Sequence, residues 1–266
     1  VEGIDSRKLL AGLWDAAPVS AAVRGRTAKG PTPLFVVASP RPRTGKTFLA
    51  RLVVDFLRLD GDAVNAFDLN PIDGSLADLL PHHASRAEIG STHGQMALFD
   101  RLIAEGGVPK VIDLGSDSFA RFFQVLEEID FLPEAARHSV EPVIFYCADP
   151  HPASSQAYCR LRGALPEVLI VPVFNDAIAK GRKLRDQFPF IRAAAVPLQI
   201  PVLPPTLKLH AGQRGRSFKE FHGKTPAEIP AGPAAELRAW TRRVFLELRE
   251  LELRLLLEKL RGSLRR

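Results

Sequence analysis

Cysteine is nearly absent from this sequence. Cys147 and Cys159 are the only two in 266 residues, which excludes a disulfide framework, and neither stands at a metal-ligand spacing. Both are expected to be reduced thiols of a cytosolic protein. The seven histidines are scattered, and the adjacent His82 and His83 have no third ligand nearby in sequence, so no metal-binding cluster is expected there. No apolar run approaches the ~18 residues that a membrane-spanning helix needs. The first residues lack the charged-then-apolar pattern of a secretory signal, so no membrane span and a cytoplasmic location are expected. There is no internal repeat and no nucleophile–base arrangement suited to acyl transfer. A large excess of one charge sign is also lacking. The formal net charge of +6 permits an anionic partner but is too small to demand one.

What is present is ordinary globular composition, 46% apolar and 25% charged, in a chain long enough to bury a large core. Leu34–Ala38 is a short continuous apolar run of the kind a strand buried on both faces requires. A Pro/Arg/Gly loop follows, and then Thr47–Leu59 carries apolar residues at helical period. Further strands are predicted at 63–69, 109–114, 142–148 and 168–174, with a sixth at 193–197. Helices are predicted at 96–104, 119–129 and 154–164. Strands alternating with helices specify an α/β fold, a doubly wound, mostly parallel sheet flanked by helices. In such sheets ligands bind at the carboxyl ends of the strands. The polar segments 39–47, 68–75, 113–118 and 175–176 all fall at those ends.

Four regions follow from composition. Residues 1–33 form an N-terminal arm, with a short helix expected at 5–14. Residues 34–200 form the α/β domain. Residues 201–233 are rich in Pro, Gly and basic residues and are expected to be a long loop. Residues 234–266 hold a long C-terminal helix with Leu237, Trp240, Val244, Leu248, Leu251 and Leu255 at three- and four-residue steps. Its further leucines lie off that stripe and leave two expectations open, packing on its own sheet or on a partner.

The loop Ser39-Pro40-Arg41-Pro42-Arg43-Thr44-Gly45-Lys46-Thr47 matches the end of the pattern G-x-x-x-x-G-K-[ST], with Pro40 in place of the first glycine. Between a buried strand and a helix, such a loop turns backbone N–H groups toward an anion, and the helix N-terminus adds positive potential. Gly45 permits close approach, Lys46 is suited to phosphate charge, and Thr47 is suited to Mg²⁺. Arg43, Thr44 and Phe48 complete the expected contact set. Asp113 ends an apolar strand, where a carboxylate either helps to hold Mg²⁺ or caps the next helix. These residues point to a P-loop nucleotide site for ATP and Mg²⁺.

The succession of this loop, Asp68-Leu69-Asn70-Pro71 with Gly74-Ser75, Ile112-Asp113-Leu114-Gly115 and Val173-Phe174-Asn175-Asp176 resembles the ParA/MinD-type ATPases, including partition and conjugation or mobilisation relatives, over residues 34–200. The resemblance implies an ATPase that dimerises around ATP·Mg²⁺ and acts in DNA partition, positioning or transfer. It places Arg41 where the family's signature lysine reaches the partner's phosphates, Asp68 and Asn70 near the attacking water, and Asn175 at the adenine edge. Two departures matter. Pro40 and Pro42 remove backbone donors and fix φ, and Arg41 and Arg43 either replace the lost positive charge or are exposed loop residues. The family's second aspartate is Asn70 here, and an amide orients water without accepting its proton. Slow hydrolysis, or a nucleotide-gated module with none, is therefore the expectation. Asp73 lies close enough in sequence to substitute. Residues 208–224, where Phe218 and Phe221 interleave with basic residues as stacking platforms do, leave two expectations open, a solvated surface loop or a contact to a DNA or protein partner, which the C-terminal helix could also make.

Overall fold

The computed structural model describes residues 30–59, 61, 63–70, 74–179, 181–190, 195–222 and 229–263. The expected helix at 5–14, Asp73 and the N-terminal arm up to residue 29 lie outside the described residues. In chain order the elements are β1 Thr32–Ala38, α1 Lys46–Leu57, β2 Asn65–Leu69, α2 Leu76–Leu79, β3 Ala84–Arg86, α3 Thr92–Ile103, β4 Lys110–Leu114, α4 Phe119–Glu128, α5 Phe131–Arg137, β5 Val140–Cys147, α6 Pro152–Ala164, β6 Leu169–Asn175, α7 Arg182–Arg185, β7 Leu198–Ile200, α8 Pro205–Ala211, α9 Phe218–His222 and α10 Ala231–Ser263.

The seven strands form one sheet in the order β3-β2-β4-β1-β5-β6-β7, and every neighbouring pair is parallel. Because β1 lies between β4 and β5, the chain builds outward from it to both edges, and the loop after β1 stands at the point where the winding reverses. Alternation along the strands divides the core. Phe35 and Val37 face a layer made by α1, α2, α8, α9 and α10. Leu34, Val36 and Ala38 face α3 to α7. Both faces are covered, as a parallel sheet requires.

Helix α1 is the hub of the first layer, with ten of its twelve residues buried. Three of those ten are charged: Lys46 at the loop, and Arg51 and Asp55 further along. Arg51, 2% exposed, donates to the carbonyls of Ala211 and Arg216 and lies over the Phe218 ring at 4.7 Å. Asp55 accepts from Ser217 Oγ at 2.6 Å and from the Phe218 amide at 2.6 Å. Buried charges are tolerated only when partners offset the loss of water, and here the end of α8 and the segment after it supply most of them, Arg51 Nε alone having no partner among the described residues. That segment is thereby fastened to the helix that follows the loop.

Three sequence expectations are corrected. Residues 201–233 are not one long loop: α8 begins with Pro205 in its first turn, where the missing N–H costs nothing, and α9 follows. The sixth strand is Leu198–Ile200, paired to β6, rather than 193–197; Ala195 to Pro197 precede it without strand pairing, and 191–194 lie outside the described residues. Phe218 and Phe221 are fully buried on the inner face of α9, with Phe218 against Phe48 and Trp240, so neither ring is available to stack on a base. The edge strand β3 and helix α5 were not anticipated. α10 packs on its own domain through Leu237, Trp240, Val244, Phe245, Leu248 and Leu251, while Leu253, Leu256, Leu257 and Leu260 beyond them are exposed. No helix among the described residues is long and apolar enough to cross a membrane.

Candidate functional site

The loop between β1 and α1 turns on two left-handed residues, Arg43 with φ 59 and Gly45 with φ 87. Alternation through this region curls successive amides inward into an anion-binding nest. Gly45 is also the N-cap of α1, and no side chain caps that helix, whereas Ser91 caps α3 and His151 caps α6. The first-turn amides of Lys46, Thr47 and Phe48 lie outside the helical ladder, which begins with Leu49 N donating to Gly45 O at 2.9 Å. Pro40 and Pro42 contribute no donor, and the Arg41 amide turns back to Ser39 Oγ at 3.3 Å. The cradle is therefore confined to the amides from Arg43 onward.

Lys46, 6% exposed, donates from Nζ to the Arg41 carbonyl at 2.7 Å. Burial lowers its pKa, and nearby Cys147, Asp113, Asp117 and Asp149 offset that in part. Thr44 Oγ1 donates to the same carbonyl at 3.4 Å. The Arg41 and Arg43 side chains stand at the loop surface, Arg41 half-buried and Arg43 exposed. Phe48 turns its ring away from the loop, against Phe218 and Trp240 at 5.7 Å each, so only its backbone faces the cradle.

Thr47 Oγ1 donates to Asp113 Oδ2 at 2.6 Å. Asp113 sits in β4 in register with Val37 of β1 and is fully buried. Its Oδ1 has no hydrogen-bond partner among the described residues. Burial, reinforced by the charge of Asp68, raises its pKa to about 7 against the opposing Thr47 bond and Lys46 charge. A buried carboxylate oxygen without a donor is expensive, and a hard cation meets that need. The donor set of one carboxylate and one hydroxyl at the start of α1 is of the kind that suits Mg²⁺ held jointly with anionic oxygens. No group of three or more His, Cys, Asp or Glu side chains among the described residues forms a metal cluster by itself.

Asn70 joins this site and Asp68 does not. Asn70 Nδ2 donates to Thr47 Oγ1 at 3.4 Å. Gly115 allows this closeness, since a Cβ there would lie 2.9 Å from the Leu69 carbonyl and 3.2 Å from Asn70 Cα. Asp68, although buried and paired in register with Asp113, spends both oxygens on its own loop. It accepts from the Asn70 amide at 2.9 Å, the Ala77 amide at 2.8 Å and the Ser75 hydroxyl. Its observed duty is to shape the turn into α2. Asn175, at the end of β6, lies against the loop from the other side. A Cβ on Gly45 would come within 2.7 Å of its Nδ2, and its Oδ1 accepts from the Ala177 amide at 3.0 Å.

One further residue stands at this end of the sheet without a motif to mark it. Asp149, two residues past β5, is 6% exposed. Its Oδ1 accepts from the His151 amide at 2.8 Å, while its Oδ2 is buried without a partner among the described residues. Its place just after an apolar strand, as Asn175 stands at the end of the neighbouring β6, is the signal that would have found it. The strand ends of β1, β4, β5 and β6 thus deliver Lys46, Thr47, Asp113, Asp149 and Asn175 to one area, with Asn70 reaching in from the end of β2. No protein-family model matches the chain, and no curated protein matches its sequence.

Proposed function

We propose that this chain is an ATP-binding protein of the ParA/MinD type, with the nucleotide phosphates over the loop Arg43–Thr47. The observation that carries this is the bond from Thr47 Oγ1 to Asp113 Oδ2, together with the partnerless Asp113 Oδ1 under an uncapped helix start. In this reading Lys46 leaves the Arg41 carbonyl for phosphate oxygens, the amides of Gly45 to Phe48 donate to the anion, and Thr47 and Asp113 hold Mg²⁺. When bound, the metal supplies electrostatic stabilisation of phosphate charge. Asn175 lies beside Gly45, on the side away from Asp113, and is assigned to the base. Arg41 and Arg43 are assigned to the phosphates of the same or a second copy. Dimerisation around nucleotide, and a role in partition, positioning or transfer of DNA, rest on the resemblance in motif order.

A second reading, a nucleotide-gated binding module with little or no hydrolysis, is favoured by one specific arrangement. The side chain from the β2 loop that reaches Thr47 is an amide, Asn70, while the nearby carboxylate of Asp68 is consumed by its own loop. A general base is then missing from the place where the attacking water would be held.

ATP binding and single-turnover hydrolysis measured on the same sample separate the two. Binding with conversion of bound ATP to ADP supports the ATPase. Binding without product supports the gated module. No Mg²⁺-dependent binding removes both. Sizing with and without ATP·Mg²⁺ tests the dimer: an unchanged mass removes the sandwich arrangement.

A further inference from the structure

At the far end of α1 from the phosphate loop, three separate stretches of chain bring positive charge to one concavity. Arg58 comes from the end of α1, His82 and His83 from the turn between α2 and β3, and Lys219 from α9. They line a cavity of about 340 Å³ whose floor includes Leu80 and Ser217. Its walls are fixed by backbone bonds. His83 N donates to Leu80 O at 2.9 Å and Gly215 N to Leu79 O at 2.9 Å, and Lys219 Nζ donates to the Arg58 carbonyl. The two imidazoles lie 6.5 Å apart, centre to centre.

Negative charge in the cavity is scarce. Asp55 lies behind the wall, and both its oxygens are taken by Ser217 and Phe218. Its approach to Arg58 is a loose 4.0 Å. Glu220, exposed, is the one carboxylate in the lining, and it accepts weakly from the Ser217 amide at 3.4 Å. Convergent cationic groups that outnumber the one carboxylate raise the local potential and attract an anion.

We propose that this cavity is a second anion site, formed by Arg58, His82, His83 and Lys219, which takes the phosphate group of a small phosphorylated molecule. The charges converge on a concavity instead of running in a row, which suits a compact phosphate better than a nucleic-acid backbone. The volume falls in the range of small-ligand pockets, about 300–1,000 Å³. Arg58 offers guanidinium donors and Lys219 the protons it does not give to Arg58 O, while the imidazoles add donors once protonated. Burial and the charges of Arg58, His82 and Lys219 lower the His83 pKa. A bound dianion reverses that penalty, so His83 takes up a proton on binding and affinity rises as pH falls. Glu220 and Asp55 are the acidic groups facing these cations, and neither offers them a close ion pair.

The test is an NMR titration of the histidine imidazole signals of the full chain with pyrophosphate, in the absence of Mg²⁺. It is done in the Lys46→Ala background so that the phosphate loop is silent, and His83→Asn assigns the signals. The expected result is a saturable shift of His82 and His83 in the millimolar range or below. Affinity should be about tenfold higher near pH 6 than near pH 8, and several-fold lower in Lys219→Gln. Arg58→Gln should act in the same direction, but Lys219→Gln is decisive because it leaves the Asp55 contact intact. Absence of a saturable shift at either pH, or equal affinity in Lys219→Gln, would overturn the proposal. So would a shift produced by a short DNA duplex and not by pyrophosphate.

Discussion

Thr47 and Asp113 are 66 residues apart in sequence and 2.6 Å apart between Oγ1 and Oδ2. The contact joins the first turn of α1 to the strand beside β1. It leaves Asp113 with one oxygen satisfied and one buried without a donor.

That arrangement makes stability depend on pH. The Asp113 pKa rises from its ordinary 3.8 to about 7 because of burial, so the folded chain holds this proton more tightly than the unfolded one. The difference favours folding at acid pH and fades as pH climbs from about 4 through 7. Without Mg²⁺, Asp113→Asn should therefore raise Tm near pH 8 by several degrees, with the gain shrinking toward pH 5. The same variant should lose Mg²⁺-dependent nucleotide binding. Thermal melts across pH, with and without ATP·Mg²⁺, check both. A destabilised variant near pH 8 would contradict the assignment. Asp55, raised to about 6 by burial, adds a slope of the same sign in both proteins and cancels in the comparison.

Gly45→Ala should impair the site twice. The backbone there has φ 87, a conformation costing a residue with a Cβ about 1–2 kcal/mol, and the new Cβ would stand 2.7 Å from Asn175 Nδ2. Asn175→Ala in the same chain should relieve the contact but not the backbone strain. Urea unfolding of the two single variants and the double variant should show recovery of part of the lost stability, with a coupling of about 0.5–3 kcal/mol. Strict additivity would place Asn175 away from the loop.

Asn70→Asp should raise single-turnover ATP hydrolysis by about 10²–10⁴-fold, the range of a positioned general base, if the amide is what limits turnover. ATP affinity should change far less. A rate unaltered by the substitution would put the water-activating position elsewhere in the fold.

Ser217→Ala should cost about 1–3 kcal/mol, because it removes a donor from the buried Asp55 carboxylate. Asp55→Ala should cost about 3–5 kcal/mol by breaking a buried charged network. Both are expected to loosen α8 and α9 before the sheet, which hydrogen exchange would show as lost protection confined to residues 205–222. Uniform loss across the chain would mean that this segment is not separately fastened.

The centre of the fold was legible because its strands are buried on both faces. Leu34–Ala38 and Leu169–Phe174 read as apolar stretches without a charge, and α1 shows its period clearly. The edges were not legible. β3 and β7 have three residues each, too few for any period, and helices of seven and five residues sat within a Pro- and Gly-rich stretch. Phe218 and Phe221 looked like stacking residues among bases because sequence does not show that a three-residue step puts them on one inward face. At the site, Lys46, Thr47 and Asp113 were legible from strand and loop order. The spending of Asp68 on its own turn was not, since it depends on Ser75 and Ala77 folding back. Asp149 is not legible in sequence, because nothing in its local pattern marks it beyond the end of a strand.

The most direct test is an ATP titration, by calorimetry or a fluorescent analogue, of the unaltered chain and of Lys46→Ala, each with and without Mg²⁺. Trp240, 5.7 Å from the Phe48 ring, offers an intrinsic check that both proteins are folded alike. The account predicts Mg²⁺-dependent binding to the unaltered chain, weakened about thirtyfold or more in Lys46→Ala, as expected for loss of a charged donor worth about 2 kcal/mol. Equal binding by the two folded proteins, or none by the unaltered chain, would contradict it.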